Sequence, residues 1–261
     1  MSDHGLVLVE QADGVATLTL NRPERLNAID LATLEALVAA LDRAAADPEV
    51  RCLVLAGRGR AFCAGADQAE MVPRGPGEWE RIVERYLDPV RQIARMDKPV
   101  VARLHGDAVG GGLGLALACD FRLAAAGARL CAPFVTIGLA GCDMSAGYFL
   151  PRLVGLGRAT DLMMTGRLVD AAEAERVGLV TRAVAADALD AAVTELAGAL
   201  ARGPARALAF TKRAIRRSLD RPMDAELDYE VFAQVQCLQT EDHREGVAAF
   251  RERRAPAFTG R

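Results

Sequence analysis

Two short stretches of small residues each follow an apolar run and could present backbone N–H groups to a ligand. Residues 60–67 read RAFCAGAD, and residues 107–112 read DAVGGG. Glycine and alanine let two backbone N–H groups approach one carbonyl oxygen without steric cost, and such a pair stabilises an oxyanion. Small residues are equally suited to tight packing of a helix on a strand. The spacing alone leaves both interpretations open.

Other common chemistries have little support in the sequence. The run 110–114 (GGGLG) does not complete the G-x-G-x-x-G fingerprint of a dinucleotide loop, which disfavours an NAD-dependent dehydrogenase. Ser145 lacks the G-x-S-x-G setting of a nucleophilic serine. Histidines occur at His4, His105 and His243. We expect His105, at the end of an apolar strand, to be structural rather than a base.

Composition bounds the class of protein. The chain has 261 residues, 51% of them hydrophobic and 26% charged, which favours one folded domain or one domain with an appendage. The formal net charge of −3 argues against nucleic acid as a main partner. The longest uncharged runs, 108–119 and 130–142, are too short to cross a bilayer, and Met1–Gly5 does not start a signal peptide. We therefore expect a cytoplasmic protein without a membrane partner.

The six cysteines show no C-x-x-C pair and no zinc spacing with the histidines. We expect reduced, mostly buried thiols, with Cys142 in the core, and no metal site.

Strand, loop and helix patterns alternate along most of the chain and predict an α/β protein. Strands are expected at 6–10 and 15–20, joined by a hairpin at Asp13-Gly14. A helix is expected from the N-cap Asp30, and apolar strands at 52–56 and 100–104.

The sequence after Gly157 predicts four or five helical segments, with Asp170 and Glu173 spaced like a capping box. We expect an α/β core over residues 1–200 and a helical region over 201–261.

Three motifs in this order resemble the crotonase family, the enoyl-CoA hydratase/isomerase superfamily. They are Phe62–Asp67, His105-Gly106 with Gly110–Gly112, and Ala118–Asp120. Further family-like stretches are 22–28, 150–155, 164–166, 172–180 and 240–258. The resemblance runs from about Leu6 to Phe258 and implies a spiral core of ββα units with a C-terminal helical trimerisation region.

The resemblance also implies a site. The N–H groups of Ala66 and Gly111 would form the oxyanion hole for an acyl-CoA thioester, while Asp67 would cap the turn that follows it. Coenzyme A would enter as part of the substrate, without a permanently bound cofactor. Residues implied in CoA contacts are Arg25, Leu26, Ala28, Ala64 and Ala66, with Phe250 and Arg253 from the C-terminal helix, often that of a neighbouring subunit. The implied assembly is a homotrimer or a dimer of trimers.

The sequence departs from the hydratase pattern at both glutamates. The family's hydratases carry one glutamate three residues after the oxyanion glycine and a second after the following strand; here these positions are Gly114 and Phe134. One acid stands nearby, Asp143, which would be either the acid/base or the N-cap of a helix beginning near Met144.

The leading interpretation is an acyl-CoA enzyme, a hydratase by family default, with a double-bond isomerase or another enolate reaction close behind. The alternative is a non-catalytic acyl-CoA-binding protein.

Overall fold

A computed structural model describes residues 5–261 of the chain. Residues 1–4, which include His4 and most of the Met1–Gly5 stretch, lie outside this range. No helix within residues 5–261 is long and apolar enough to cross a membrane.

The strands of the described chain form two sheets. They are β1 (Val7–Ala12), β2 (Val15–Leu20), β3 (Cys52–Gly57), β4 (Ala61–Cys63), β5 (Val100–Leu104), β6 (Asp107–Val109), β7 (Phe121–Ala125), β8 (Arg129–Cys131), β9 (Val169–Asp170) and β10 (Arg182–Val184). The six-stranded sheet has the order β1-β2-β3-β5-β7-β10, and the four-stranded sheet has the order β4-β6-β8-β9. Only the β1/β2 and β8/β9 pairs of these sheets are antiparallel.

Helices cover the sheets and make up most of the C-terminal third. They are α1 (Leu31–Ala46), α2 (Pro76–Tyr86), α3 (Asp88–Arg95), α4 (Gly111–Ala118), α5 (Ala146–Val154), α6 (Leu156–Thr165), α7 (Ala171–Arg176), α8 (Leu189–Ala201), α9 (Ala205–Arg217), α10 (Met223–Leu238) and α11 (Glu241–Glu252). The α/β class predicted from the sequence is confirmed.

Local signals explain several boundaries. Asp13 and Gly14 both have positive φ, +50° and +77°, as a type I′ hairpin turn requires. Asp30 caps α1 by accepting the Thr33 N–H at 2.7 Å. Asp170 does the same for α7, accepting the Glu173 N–H at 2.7 Å. The predicted hairpin and both caps are confirmed.

The core lies between the sheets and the helices that pack on them. All eight residues of α4 are buried, which fits its apolar, glycine-rich sequence. On the other face of the large sheet, α8 packs on β3, β5 and β7 through Leu189, Val193 and Ala197. With α4 enclosed on all sides, its N-terminus is held in a fixed position.

Candidate active site

Neighbouring parallel strands of the small sheet bring the two glycine-bearing loops together. The loop after β4 holds Ala64–Ala66, the loop after β6 holds Gly110 and Gly111, and β4 pairs with β6 in parallel. A Cβ at Gly65 would lie 2.9 Å from the Gly111 nitrogen, and Gly65 has a φ of +93°, so only glycine fits there. Because the carboxyl ends of parallel strands meet at one sheet edge, Ala66 and Gly111 lie on adjoining loops.

The N–H of Ala66 points away from its bridge to Ile29, and the N–H of Gly111 belongs to the first turn of a helix. The Ile29 N–H donates to the Gly65 oxygen at 2.7 Å, and the Asp67 N–H donates to the Ile29 oxygen at 2.9 Å. Successive peptide groups of an extended chain point to alternate sides, so the Ala66 N–H faces away from Ile29. Gly111 begins α4, and the first N–H groups of a helix have no partner within it. The positive end of the helix dipole adds to the attraction for an anion there.

Asn27 ties the loop 22–28 to this edge, a role that sequence reasoning missed. It is fully buried with a φ of +57°, and its amide nitrogen lies 2.8 Å from the carbonyl oxygens of Arg58 and Ala61. Its Oδ1 accepts the Arg22 N–H at 3.0 Å. The sequence could have suggested this role, because Asn tolerates the left-handed region of backbone conformation better than other residues with side chains.

The predicted CoA contacts of the first loop surround this anchor. The Ala64 N–H donates to the Leu26 oxygen at 3.0 Å, so these two residues are directly joined. Ala28 is buried, whereas Arg25 is exposed at the end of a short 3₁₀ turn. An exposed guanidinium beside the loop is available to an anionic group.

Asp67 has the structural role expected of it. Its side chain accepts the Ala69 N–H at 3.1 Å and caps the turn 68–70. It also pairs with Arg22 at 3.0 Å. The hydrogen bond from the Ala69 N–H lowers the pKa of Asp67. Burial acts in the opposite direction, and the nearby Arg22 lowers the pKa further.

Position 114 has no room for a side chain. A Cβ at Gly114 would lie 2.6 Å from the Met144 Cβ and would overlap the Met144 carbonyl oxygen. The Ser145 hydroxyl donates to the Gly114 oxygen at 3.2 Å, which fixes the two segments together. The chain at Met144 therefore fills the space that a glutamate at position 114 would need.

The second departure, Phe134, is also an apolar filler. It is 6% exposed, and its ring lies 3.8 Å from the Cβ position of Gly110. The turn at Gly110 and Gly111 thus has Phe134 against Gly110 and Met144 against Gly111. Neither side chain can transfer a proton.

The structure corrects two expectations around Asp143. The helix α5 begins at Ala146 with Ser145 as its N-cap residue, so the N-cap assignment of Asp143 is wrong. The Asp143 carboxylate instead accepts the Met144 N–H at 2.7 Å. Cys142 is exposed rather than in the core, because it lies at the surface in the turn before α5. Asp143 thus shapes the turn that presses Met144 on Gly111.

His105 and Cys63 lie near the loops without being suited to catalysis. The His105 Nε2 lies 2.9 Å from the Gly59 oxygen, and burial lowers the pKa of its imidazole. Burial raises the pKa of Cys63 to about 12, so its thiol stays protonated at neutral pH.

Phe250 and Arg253 lie apart from the other predicted CoA contacts. Phe250 is 86% exposed on α11, which packs against α10, and Arg253 ends that helix with a φ of +55°. Within residues 5–261, no hydrogen bond, ion pair or ring contact joins α11 to the loop 22–28.

Comparison with known proteins decides which family this arrangement represents. A family model described as enoyl-CoA hydratase/isomerase matches residues 10–261. The chain belongs to the enoyl-CoA hydratase/isomerase family. This confirms the resemblance found in the motifs, and it makes the protein an acyl-CoA enzyme, a lyase or an isomerase.

Individual family members cover the whole chain. A Rhodobacter capsulatus protein named "Probable enoyl-CoA hydratase" is 39% identical over 261 residues, with 100% of both chains covered. The 1,2-epoxyphenylacetyl-CoA isomerase of Escherichia coli K12 is 37% identical, with 98% of each covered. The crystal structure of an enoyl-CoA hydratase from Bacillus anthracis superposes with a TM-score of 0.93 at 33% identity, covering 98% of this chain and 99% of that one. The crotonase fold is thereby confirmed.

Proposed function

We propose that this enzyme binds the CoA thioester of an unsaturated acyl group and stabilises its enolate through the N–H groups of Ala66 and Gly111. The observation that carries the proposal is the meeting of the two loops at the ends of β4 and β6. Two aimed N–H donors in a site that excludes water stabilise a developing oxyanion by several kcal/mol, on the order of 3 kcal/mol for each donor.

Asp143 is the acid/base of the proposed reaction. It directly precedes Met144, whose side chain packs at Gly111, and the two positions that carry glutamates in the family's hydratases, Gly114 and Phe134, have no titratable group here. A single carboxylate can take a proton from one carbon of an unsaturated thioester, which leaves a dienolate, and then return that proton to another carbon of the dienolate. We therefore propose double-bond isomerisation as the first candidate reaction, because it needs one carboxylate.

Hydration is the second candidate, favoured by the names of relatives such as the Rhodobacter capsulatus protein. It would require Asp143 alone to direct a water molecule, since Gly114 and Phe134 supply no second carboxylate.

The CoA moiety lies along the loop 22–28 and Ala64 in this proposal, with Arg25 near a phosphate. Phe250 and Arg253 come from the α11 helix of a neighbouring subunit. The cytoplasmic location expected from the sequence stays a prediction.

Assembly as a homotrimer or a dimer of trimers is supported by the C-terminal helices. No residue of α10 is buried in the single chain, although α10 is 16 residues long. A helix of that length is marginal unless one face is covered. A groove of about 590 Å³ beside α11 is lined by Phe210, Tyr229 and Phe258. Exposed apolar side chains on these helices are Ile215, Met223, Leu227, Val231, Val235, Leu238 and Phe250.

Mass spectrometry of a panel of acyl-CoA thioesters, with Asp143→Asn beside wild type, tests this function. We expect hydration or isomerisation of at least one enoyl-CoA by wild type, and a rate lowered by a factor of about 10² to 10⁴ in Asp143→Asn. Acyl-CoA affinity should change little, because the carboxylate acts on the transition state. Asp187→Asn, at an exposed position, is the matched control.

An unchanged rate in Asp143→Asn would remove Asp143 from the mechanism. Binding of several acyl-CoA thioesters without alteration of any would make the protein a binding protein instead.

A further inference from the structure

The segment around Met144 has an unusual backbone for residues with side chains. Met144 and Ser145 both have positive φ, +47° and +74°. A positive φ is strained for a residue with a side chain and persists only where contacts hold it. Three hydrogen bonds do so here: Met144 N–H to the Asp143 carboxylate, Ala146 N–H to the Asp143 carbonyl, and the Ser145 hydroxyl to Gly114. The Met144 side chain is therefore directed by its own turn.

That side chain lies directly against the oxyanion-hole glycine. The Cγ and Cε atoms of Met144 are 3.4 and 3.5 Å from the Cβ position of Gly111. Gly111 and Gly114 are three residues apart and lie on one face of α4, so Met144 covers that face for a full turn. It is only 4% exposed, which means that neighbouring groups seal it from solvent.

We infer that Met144 is a specificity-determining residue, which closes the space beside Gly111 to a substituent on the carbon next to the thioester carbonyl. The inference rests on the proposed function, because it places the thioester oxygen at the Gly111 N–H. An acyl group held there has its α-carbon one bond from the carbonyl, beside the Met144 thioether. Phe134 lies on the Gly110 side, with its ring 3.8 Å from the Cβ position of Gly110. Straight-chain acyl groups fit this space, and α-branched ones do not.

The binding affinities of saturated thioesters test the role of Met144, because a saturated acyl group can be neither hydrated nor isomerised. Calorimetry would compare free CoA, butyryl-CoA and 2-methylbutyryl-CoA binding to wild type, Met144→Ala and Met144→Gly. Glycine adopts a positive φ without strain, so Met144→Gly can be measured even if Met144→Ala folds poorly. Met144→Leu keeps the volume and is the matched control.

We expect wild type and Met144→Leu to prefer butyryl-CoA over 2-methylbutyryl-CoA by about tenfold or more, as the exclusion of one methyl group permits. In Met144→Ala or Met144→Gly that preference should fall at least about fivefold, with the affinity for free CoA unchanged. The same preference in all variants would overturn the role of Met144 while leaving CoA binding intact. Failure of wild type to bind any of the three compounds would instead overturn the proposed function and this inference with it.

Discussion

Asn27 and Met144 are single residues that hold the site together across long stretches of chain. Asn27 reaches Ala61, 34 residues away, and the Met144 side chain packs on Gly111. The family motifs predicted Ala66 and Gly111 as site residues, and Asp143 was predicted because it is the acid that stands near the two missing glutamates. Asn27 lies in the family-like stretch 22–28, but its structural role and that of Met144 were not predicted, because contacts between distant segments leave no periodic pattern in the sequence.

Asp67 offers a residue-scale test through its pH dependence. Asp67→Asn should lower the free energy of unfolding by about 1.5–3 kcal/mol at pH 7, since a carboxylate bonded to Ala69 and Arg22 loses its charge. The folded-state pKa of Asp67 lies below its ordinary value of 3.8. The Asp67 carboxylate therefore contributes its full stabilisation at pH values above 3.8, and this contribution is lost as the pH falls through the lowered pKa of the folded state.

Urea unfolding at pH 7, 5 and 3 measures this difference. Wild type and Asp67→Asn should converge toward pH 3, whereas Asp187→Asn should match wild type throughout. A difference that stays constant with pH would show that the charge of Asp67 contributes nothing to stability.

The helix α4 is the element on which the site depends. Its first residue offers the proposed donor, all of its residues are buried, and Met144 crosses it at Gly114. The sequence predicted the long elements, such as α1 and β3, from their periodicity and apolar runs. It did not predict β7 or the five strands β4, β6, β8, β9 and β10, and these five have only two or three residues each, too few to show alternation.

Two glycine-to-alanine changes in helices should have opposite effects. Gly114→Ala should destabilise the protein by about 1–3 kcal/mol, because the new methyl group overlaps Met144. Gly198→Ala in α8 meets only the flexible end of Arg202 and should stabilise by up to about 1 kcal/mol. Thermal and urea unfolding of both variants give the comparison. Stabilisation by Gly114→Ala would contradict the close approach of Met144.

At the scale of the whole molecule, the C-terminal helices present an apolar surface that the single chain does not cover. Composition and periodicity predicted a helical region after residue 200 but not its partner, since exposed apolar positions on a helix are read as core. The family resemblance supplied the expectation of a trimer, and the unburied helix α10 supports it.

Val231→Glu tests that assembly. Val231 is 66% exposed on α10, and we expect a glutamate there to give monomers by sedimentation velocity, because a charge in an apolar interface is costly. The monomer should also bind acyl-CoA more weakly, since it lacks the neighbour's Phe250 and Arg253. Val9→Glu, at a 42% exposed valine of β1, is the matched control and should leave assembly unchanged. Monomeric wild type with full affinity would refute the shared site.

The enolate itself is the most direct test of the account. Gly111 is the first residue of α4, where proline is tolerated, so Gly111→Pro removes one N–H donor while the helix can remain. Gly111→Ala keeps the donor and adds a methyl group 3.4 Å from Met144. Exchange of the α-hydrogens of acyl-CoA thioesters in D₂O, followed by mass spectrometry, reports enolate formation.

We predict that wild type and Gly111→Ala exchange the α-hydrogens of acyl-CoA thioesters with D₂O, and that the exchange rate is at least about 100-fold lower in Gly111→Pro. Equal exchange in Gly111→Pro, or bound acyl-CoA that never exchanges in wild type, would contradict an enolate held at Gly111.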